Sequence, residues 1–249
     1  MKKGKVYIVG IGPGRAEDMT FRAENALKES DAIAGYMVYC DLVRTRYGEK
    51  EYIETPMTGE ERRVDLAFKK ASEGKTVSII CSGDPGVYGL AGLACSAAAE
   101  YEDVDIEVIP GVSAALSGAA LLGAPLIHDF CLISLSDRLT PIDLIEKRLN
   151  LAAEADMVIV IYNPESRSRS GYLKRACEIL LETIDGDRIC GISRNIGREG
   201  EAYEIMTLSE LKDAKADMFS TVFIGNSSTV KVKKRMVTLR GYRSEKDRQ

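Results

Sequence analysis

Val6-Tyr7-Ile8-Val9-Gly10-Ile11-Gly12-Pro13-Gly14-Arg15 is the stretch on which the reading of this chain turns. It begins as a short, β-branched apolar run without polar alternation. That is the pattern of a strand buried on both faces, and it breaks into glycines where a turn must follow. The same order recurs further on. A run at 76–81 leads into Ser82-Gly83-Asp84-Pro85-Gly86-Val87-Tyr88-Gly89, one at 105–109 into Pro110-Gly111-Val112-Ser113-Ala114, and one at 157–162 ends in Tyr162-Asn163-Pro164. Each turn alone is ordinary turn chemistry, and Asp84 has the simpler reading of a cap for the helix that follows it. Four of them after strands point to α/β architecture with turns at the carboxyl edge of a sheet, where ligands bind in open α/β folds.

Working outward, strands are expected at 5–11, 31–35, 76–81, 105–109, 130–135, 157–162, 188–193, 202–207, 219–225 and 235–239. Helices are expected at 20–29, 60–73, 88–100, 113–122, 141–154, 168–184 and 208–212. Thr20 and Ser113 are the expected N-caps of two of these. Val64, Ala67, Phe68 and Ala71 share one helix face. The small residues of 113–124 would let a backbone approach a neighbour or a ligand closely. The pattern divides near 112–128 into an N-terminal α/β domain, 1–115, with a substrate-facing glycine-rich loop, and a C-terminal α/β domain, 116–249. In the second domain late strands follow one another with little helix between them, so its sheet is expected to be mixed. A ligand cleft is expected between the two.

Composition excludes several classes. Of 249 residues, 45% are hydrophobic and 29% charged, ordinary values for a globular protein. No long apolar run suits a membrane helix, and Val6 to Ile11 is too short for the core of a signal peptide, so a cytoplasmic protein is expected. A net charge of −4 argues against a general nucleic-acid binder. Cys40, Cys81, Cys95, Cys131, Cys177 and Cys190 lack metal-site spacing and read as buried reduced thiols. His128 is the only histidine, so no protein-bound metal is expected. Arg15 stands where a dinucleotide fingerprint needs glycine, and Pro13 blocks the helix start that would receive a pyrophosphate. Gly74-Lys75-Thr76 resembles the end of a P-loop, but Lys69 replaces its first glycine and a strand follows.

Together, Val6–Gly14, Ser82–Gly89 and Pro110–Ala114 resemble the tetrapyrrole methylase family, the class III S-adenosylmethionine-dependent methyltransferases. The resemblance runs through about Arg240. Gly123-Ala124-Pro125-Leu126-Ile127-His128-Asp129-Phe130, then Ile133–Pro141 and Ile161–Arg169, resemble the branch that methylates C17 of a precorrin-3-type macrocycle. One departure is Ile142, where that branch often has tryptophan.

The resemblance implies the two-domain tetrapyrrole methylase fold, a homodimer, and S-adenosylmethionine held between the domains and released as S-adenosylhomocysteine. It implies methylation of C17 with ring contraction in cobalamin synthesis, on a tetrapyrrole with or without cobalt, and no nucleic-acid or membrane partner. Gly83, Asp84 and Val87 would line the cofactor, with Asp84 near its polar groups. Ser113 and Ala114 would meet it from a helix start, and Tyr162 and Asn163 from the second domain. Asn195 and Thr221 are added for their positions in late strands. Gly12, Pro13 and Gly14 would face the macrocycle. Arg15, Arg138, Arg167 and Arg169 suit its carboxylates, with solvated surface charge as the competing reading. His128, Asp129 and Asp137 are candidates for proton transfer, with structural roles competing. The rival functions are methylation at another ring position, of diphthamide or of ribosomal RNA. A non-catalytic nucleotide-binding regulator is a different class of answer, and Arg15 and Lys69 argue against it.

Overall fold

β1 (Gly4–Gly10) carries Val6 and Ile8 to one face and Tyr7 and Val9 to the other, all buried. Such a strand is stable only inside a sheet covered on both sides. The structure, a computed structural model, describes residues 3–166 and 170–241. The chain forms two compact units, Met1–Ser113 and Ala114–Gln249, against an expected divide after residue 115.

In the first unit β1 is joined by β2 (Ala32–Tyr36), β3 (Glu51–Thr55), β4 (Thr76–Cys81) and β5 (Val104–Ile109) in a parallel sheet of order β3-β2-β4-β1-β5. The connections run first one way along the sheet, then the other. α1 (Phe21–Glu29) and α2 (Met37–Tyr47) cover the face bearing Tyr7, Val9, Ile33 and Ile80. α3 (Glu60–Ser72) and α4 (Ala91–Ala97) cover the face bearing Val6, Ile8, Val77 and Ile79. This division is what right-handed crossovers require. Thr20 caps α1 as expected, its Oγ1 accepting from the Ala23 N–H at 3.1 Å.

α2 and β3 escaped the sequence reading. α2 buries only Cys40, Val43 and Tyr47, and β3 is an edge strand with Thr55 as its only buried residue. Neither carries a clear apolar period. The helix expected at 88–100 begins only at Ala91 and ends in a 3-10 turn over Ala98–Glu100. Tyr88 takes a left-handed φ of 52°, which stops a helix from starting there.

The second unit opens with α5 (Ala114–Leu122) and β6 (Gly123–Ala124), followed by β7 (Phe130–Ser134), α6 (Ile142–Glu154), β8 (Val158–Tyr162), α7 (Tyr172–Leu180) and β9 (Ile189–Arg194). β10 (Ala202–Thr207), α8 (Leu208–Leu211), β11 (Ser220–Ile224), β12 (Thr229–Val232) and β13 (Arg235–Thr238) complete it. The main sheet, β10-β9-β11-β8-β7, is mixed: β7 and β8 are parallel, and β11 is antiparallel to both β8 and β9. α6, α7 and α8 pack on one face. On the other, the small residues of α5 meet the sheet: Ala115, Ala119 and Leu122 pack against Val160 and Phe223. β6, β12 and β13 form a separate small sheet. β12 and β6 were missed because both are short and the hairpin turn has Lys233, at φ 55°, where glycine or asparagine would have marked it. No helix among the described residues is long and apolar enough to cross a membrane.

Four of the six cysteines, Cys40, Cys81, Cys177 and Cys190, are buried. Burial pushes the Cys81 thiol up to about 11 and those of Cys40 and Cys177 up to about 12. Native protein treated with iodoacetamide at pH 8 and mapped by mass spectrometry should therefore be modified at exposed Cys95 first, with these four unmodified until the chain unfolds.

Candidate functional site

The connections after β1 and β4 leave these neighbouring strands toward opposite faces of the first unit's sheet. Their carboxyl ends thus form a topological switch point, the place where open α/β sheets bind ligands. The two turns there are bonded to each other. The Ile11 N–H donates to the Cys81 carbonyl at 2.9 Å, that of Gly12 to the Gly83 carbonyl at 3.2 Å, and that of Gly83 to the Gly12 carbonyl at 2.7 Å. Gly12 and Gly83 hold φ values of 74° and 70°, which a side chain would resist. The turn after β5 packs onto the same spot. A β-carbon on Gly111 would lie 2.2 Å from the Gly83 oxygen, and one on Gly10 would lie 2.6 Å from the Gly111 nitrogen. Asp84 ties the cluster together. Its Oδ2 accepts from the Gly111 N–H at 2.9 Å and its Oδ1 from the Gly86 N–H at 2.8 Å.

Several expected roles change with this geometry. Gly12 and Gly83 spend their backbone polar groups on each other, and both are buried, as is Pro13. Asp84 gives one acceptor to each of two backbone donors. It does not cap α4, which has no side-chain cap. What faces outward is Val87, half-buried, and Tyr88, 52% exposed. Tyr88 was not singled out by sequence, since nothing marks a tyrosine for a left-handed backbone. Holding a bulky residue there costs on the order of 1–3 kcal/mol, and such strain collects at functional positions. Gly14 is half-buried and Arg15 exposed, ahead of a 3-10 turn over Ala16–Asp18.

In the second unit the ends of β7, β8 and β9 and the start of β11 share one edge of the main sheet. Tyr162, Asn163, Asn195 and Thr221 are all brought to it. Tyr162 Oη accepts from the Ala115 N–H at 2.8 Å, satisfying one of the free donors at the start of α5. Asn163 and Asn195 sit at φ 52° and 48°, and Asn163 Nδ2 donates to Ser134 Oγ at 3.0 Å. Thr221 is buried opposite Ser193, whose hydroxyl donates to the Gly118 carbonyl at 3.0 Å. Ser113 is buried and Ala114 is the first residue of α5.

The candidates for proton transfer are not brought together. His128 and Asp129 precede β7, at the edge opposite Ser134 and Asn163, so the five-residue strand separates them by roughly 15 Å. His128 Nε2 lies 3.1 Å from the Leu239 carbonyl oxygen, and the Asp129 carbonyl accepts from the Val158 N–H. These are structural contacts. Asp137 lies beyond the other end of β7, exposed, with Oδ2 accepting from the Tyr172 hydroxyl at 2.7 Å. Arg138 is exposed beside it, while Arg167 and Arg169 lie outside the described residues.

The Asp84 clamp has a measurable consequence. Asparagine at 84 keeps the shape but offers one acceptor to two backbone donors. Asp84→Asn should lower the stability of the ligand-free protein by about 1–2 kcal/mol in urea denaturation. Unchanged stability would show that Asp84 serves a ligand and not the fold.

Comparison with known proteins adds to this geometry. The sequence profile of the Tetrapyrrole (Corrin/Porphyrin) Methylases matches residues 5–212. The chain is 42% identical over 236 residues to a protein of Salmonella typhimurium named "Probable cobalt-factor III C(17)-methyltransferase", covering 94% of this chain and 98% of that one. It is 44% identical to the "Cobalt-factor III methyltransferase" of Priestia megaterium, covering 96% of this chain but only 45% of that longer protein. Among solved structures, that of "the methyltransferase CobJ" superimposes with a TM-score of 0.88 at 36% identity, over 95% of this chain and 100% of the other. With the fold, the locked strand-end turns and these likenesses in agreement, the chain belongs to the tetrapyrrole methylase family.

Proposed function

We propose that this chain transfers a methyl group from S-adenosylmethionine to C17 of a precorrin-3-type tetrapyrrole carrying cobalt, with contraction of the ring, in cobalamin synthesis. The observation that carries the reading is the cluster of three turns bonded together at the ends of β1, β4 and β5. The stretches Ser82–Gly89 and Pro110–Ala114 contain no lysine or arginine. Such turns suit an adenosine and an amino-acid end, which carry no phosphate, better than a dinucleotide or nucleoside triphosphate. Both relatives described above are named for cobalt-factor III, which supports a metal-loaded substrate.

When bound, S-adenosylmethionine supplies a methyl group already activated on a sulfonium. The remaining task of the protein is to fix distance and line of attack and to keep water out. In this reading Val87, Ser113 and Ala114 contact the cofactor, Gly83 does so through its Cα, and Asp84 holds the turn in shape. Tyr162 offers its ring, since its hydroxyl is engaged with Ala115, and Asn163, Asn195 and Thr221 are further candidates. Gly14, Arg15 and Arg138 are left for the macrocycle. The homodimer is part of the proposal, with Leu139, 98% exposed, and the exposed Ile142 as apolar surface for it.

The test is incubation of purified protein with methyl-labelled S-adenosylmethionine and either cobalt-factor III or metal-free precorrin-3B, followed by mass and NMR analysis. One added methyl at C17 of the cobalt-loaded ring is expected. Label found only in elongation factor or ribosomal RNA would overturn the assignment.

A further inference from the structure

Arg63 stands in the first turn of α3 and is 4% exposed. Its Nε donates to Thr55 Oγ1 at 2.8 Å and its Nη2 to the Pro56 carbonyl oxygen at 3.1 Å. Both acceptors are neutral, and among the described residues no carboxylate pairs with this guanidinium. A charge taken out of water without a counter-charge is costly. The position adds to that cost, because the amino end of a helix is itself positive. Glu60 and Glu61 share that turn but make no bond to Arg63. Among the described residues Nη1 donates to no protein group. It is not sealed off either, since the Tyr47 hydroxyl is the one described side-chain polar atom both buried and without a partner. Nη1 therefore keeps some contact with solvent, within a residue that is 4% exposed.

The place matters as much as the burial. Thr55 is the last residue of β3 and Pro56 begins the turn beyond it, so the guanidinium lies at the carboxyl edge of the first unit's sheet. Burial raises the Cys81 thiol, at the last residue of β4 and next to Ser82-Gly83-Asp84, and the charge of Arg63 acts weakly against that rise.

We propose that Arg63 is a fixed cationic anchor for a carboxylate of the ligand bound at this edge. The carboxylate comes from an acid side chain of the macrocycle or from the amino-acid end of S-adenosylmethionine. The inference rests on the reading of the chain as a tetrapyrrole methylase. Nη1 and the second hydrogen of Nη2 supply the pairing that the fold itself omits.

Arg63→Gln removes the charge and keeps one amide donor near the position from which Nε meets Thr55. Thermal unfolding without ligand should be at or above the wild-type temperature. Calorimetry then compares S-adenosylhomocysteine with 5′-methylthioadenosine, which lacks the carboxylate, and steady-state kinetics gives KM for the tetrapyrrole. A loss of about tenfold or more is expected for one carboxylate ligand, with 5′-methylthioadenosine unchanged. A loss on S-adenosylhomocysteine assigns the anchor to the cofactor, and a raised KM alone assigns it to the macrocycle. Arg63→Lys, which keeps the charge without the fork, should fall between, and carries the comparison if the glutamine variant does not fold. Wild-type affinity for both carboxylate ligands, or an equal loss on 5′-methylthioadenosine, would overturn the proposal. Wild-type protein that binds S-adenosylhomocysteine but methylates no tetrapyrrole would remove the proposed function instead, and with it the macrocycle as a source of the carboxylate; Arg63 is then decided by S-adenosylhomocysteine against 5′-methylthioadenosine, an unchanged affinity overturning the anchor.

Discussion

Three backbone turns in the first unit touch where side chains would normally intervene. The contact of Gly10, Gly83 and Gly111 is main chain against main chain, and the mutual hydrogen bonds of Gly12 and Gly83 extend it. Main-chain packing this tight leaves no room for a methyl group and little room for adjustment. Asp84 then converts contact into connection, because its two oxygens fasten amides from two different turns. The result is a rigid rim at the strand ends. The outward residues, Val87 and Tyr88, are displayed from that rim, and Tyr88 is held in a backbone state that it would not adopt alone. For a reaction that needs mainly alignment, a stiff support is the useful property.

The second unit reaches a similar end by other means. Its edge is organised by side chains that satisfy backbone groups: Tyr162 on the start of α5, Ser193 on Gly118, Asn163 on Ser134. The small residues of α5 allow it to lie close on the sheet, and that closeness brings these polar groups within reach. Small side chains and exact polar partners are two halves of one design. The first without the second would leave buried donors unpaired.

Much of this was legible in the sequence, and the limits have physical causes. The strands β1, β4 and β8 announce themselves because they are apolar and buried along almost their whole length, and glycine-containing turns follow β1, β4 and β5. α2 and β3 were invisible, since an edge strand and a weakly striped helix bury too few residues to set a period. Asp84 and Gly83 drew notice through their glycine-rich turn, but their part in joining turns far apart in sequence was hidden. That role depends on strand order, and a sequence motif does not encode it. His128 and Asp129 drew notice through their chemistry, and the direction of β7 takes them away from the edge where the asparagines lie. Nothing in the sequence singles out Arg63, one of several charges on a helix that shows its apolar stripe at Val64, Ala67, Phe68 and Ala71. Its burial depends on Thr55 and Pro56, which lie in the part of the sequence that carried no signal.

The central claim is that contact among the three glycine turns builds the cofactor-binding edge. The most direct measurement compares Gly111→Ala with Gly92→Ala, where an added β-carbon meets nothing within 4 Å. Thermal unfolding and S-adenosylhomocysteine binding are read on both. The account predicts that Gly111→Ala unfolds roughly 5–10 °C lower and loses S-adenosylhomocysteine binding, while Gly92→Ala matches or exceeds the wild type in stability and binds normally. A Gly111→Ala protein with unchanged unfolding temperature and unchanged affinity would contradict it.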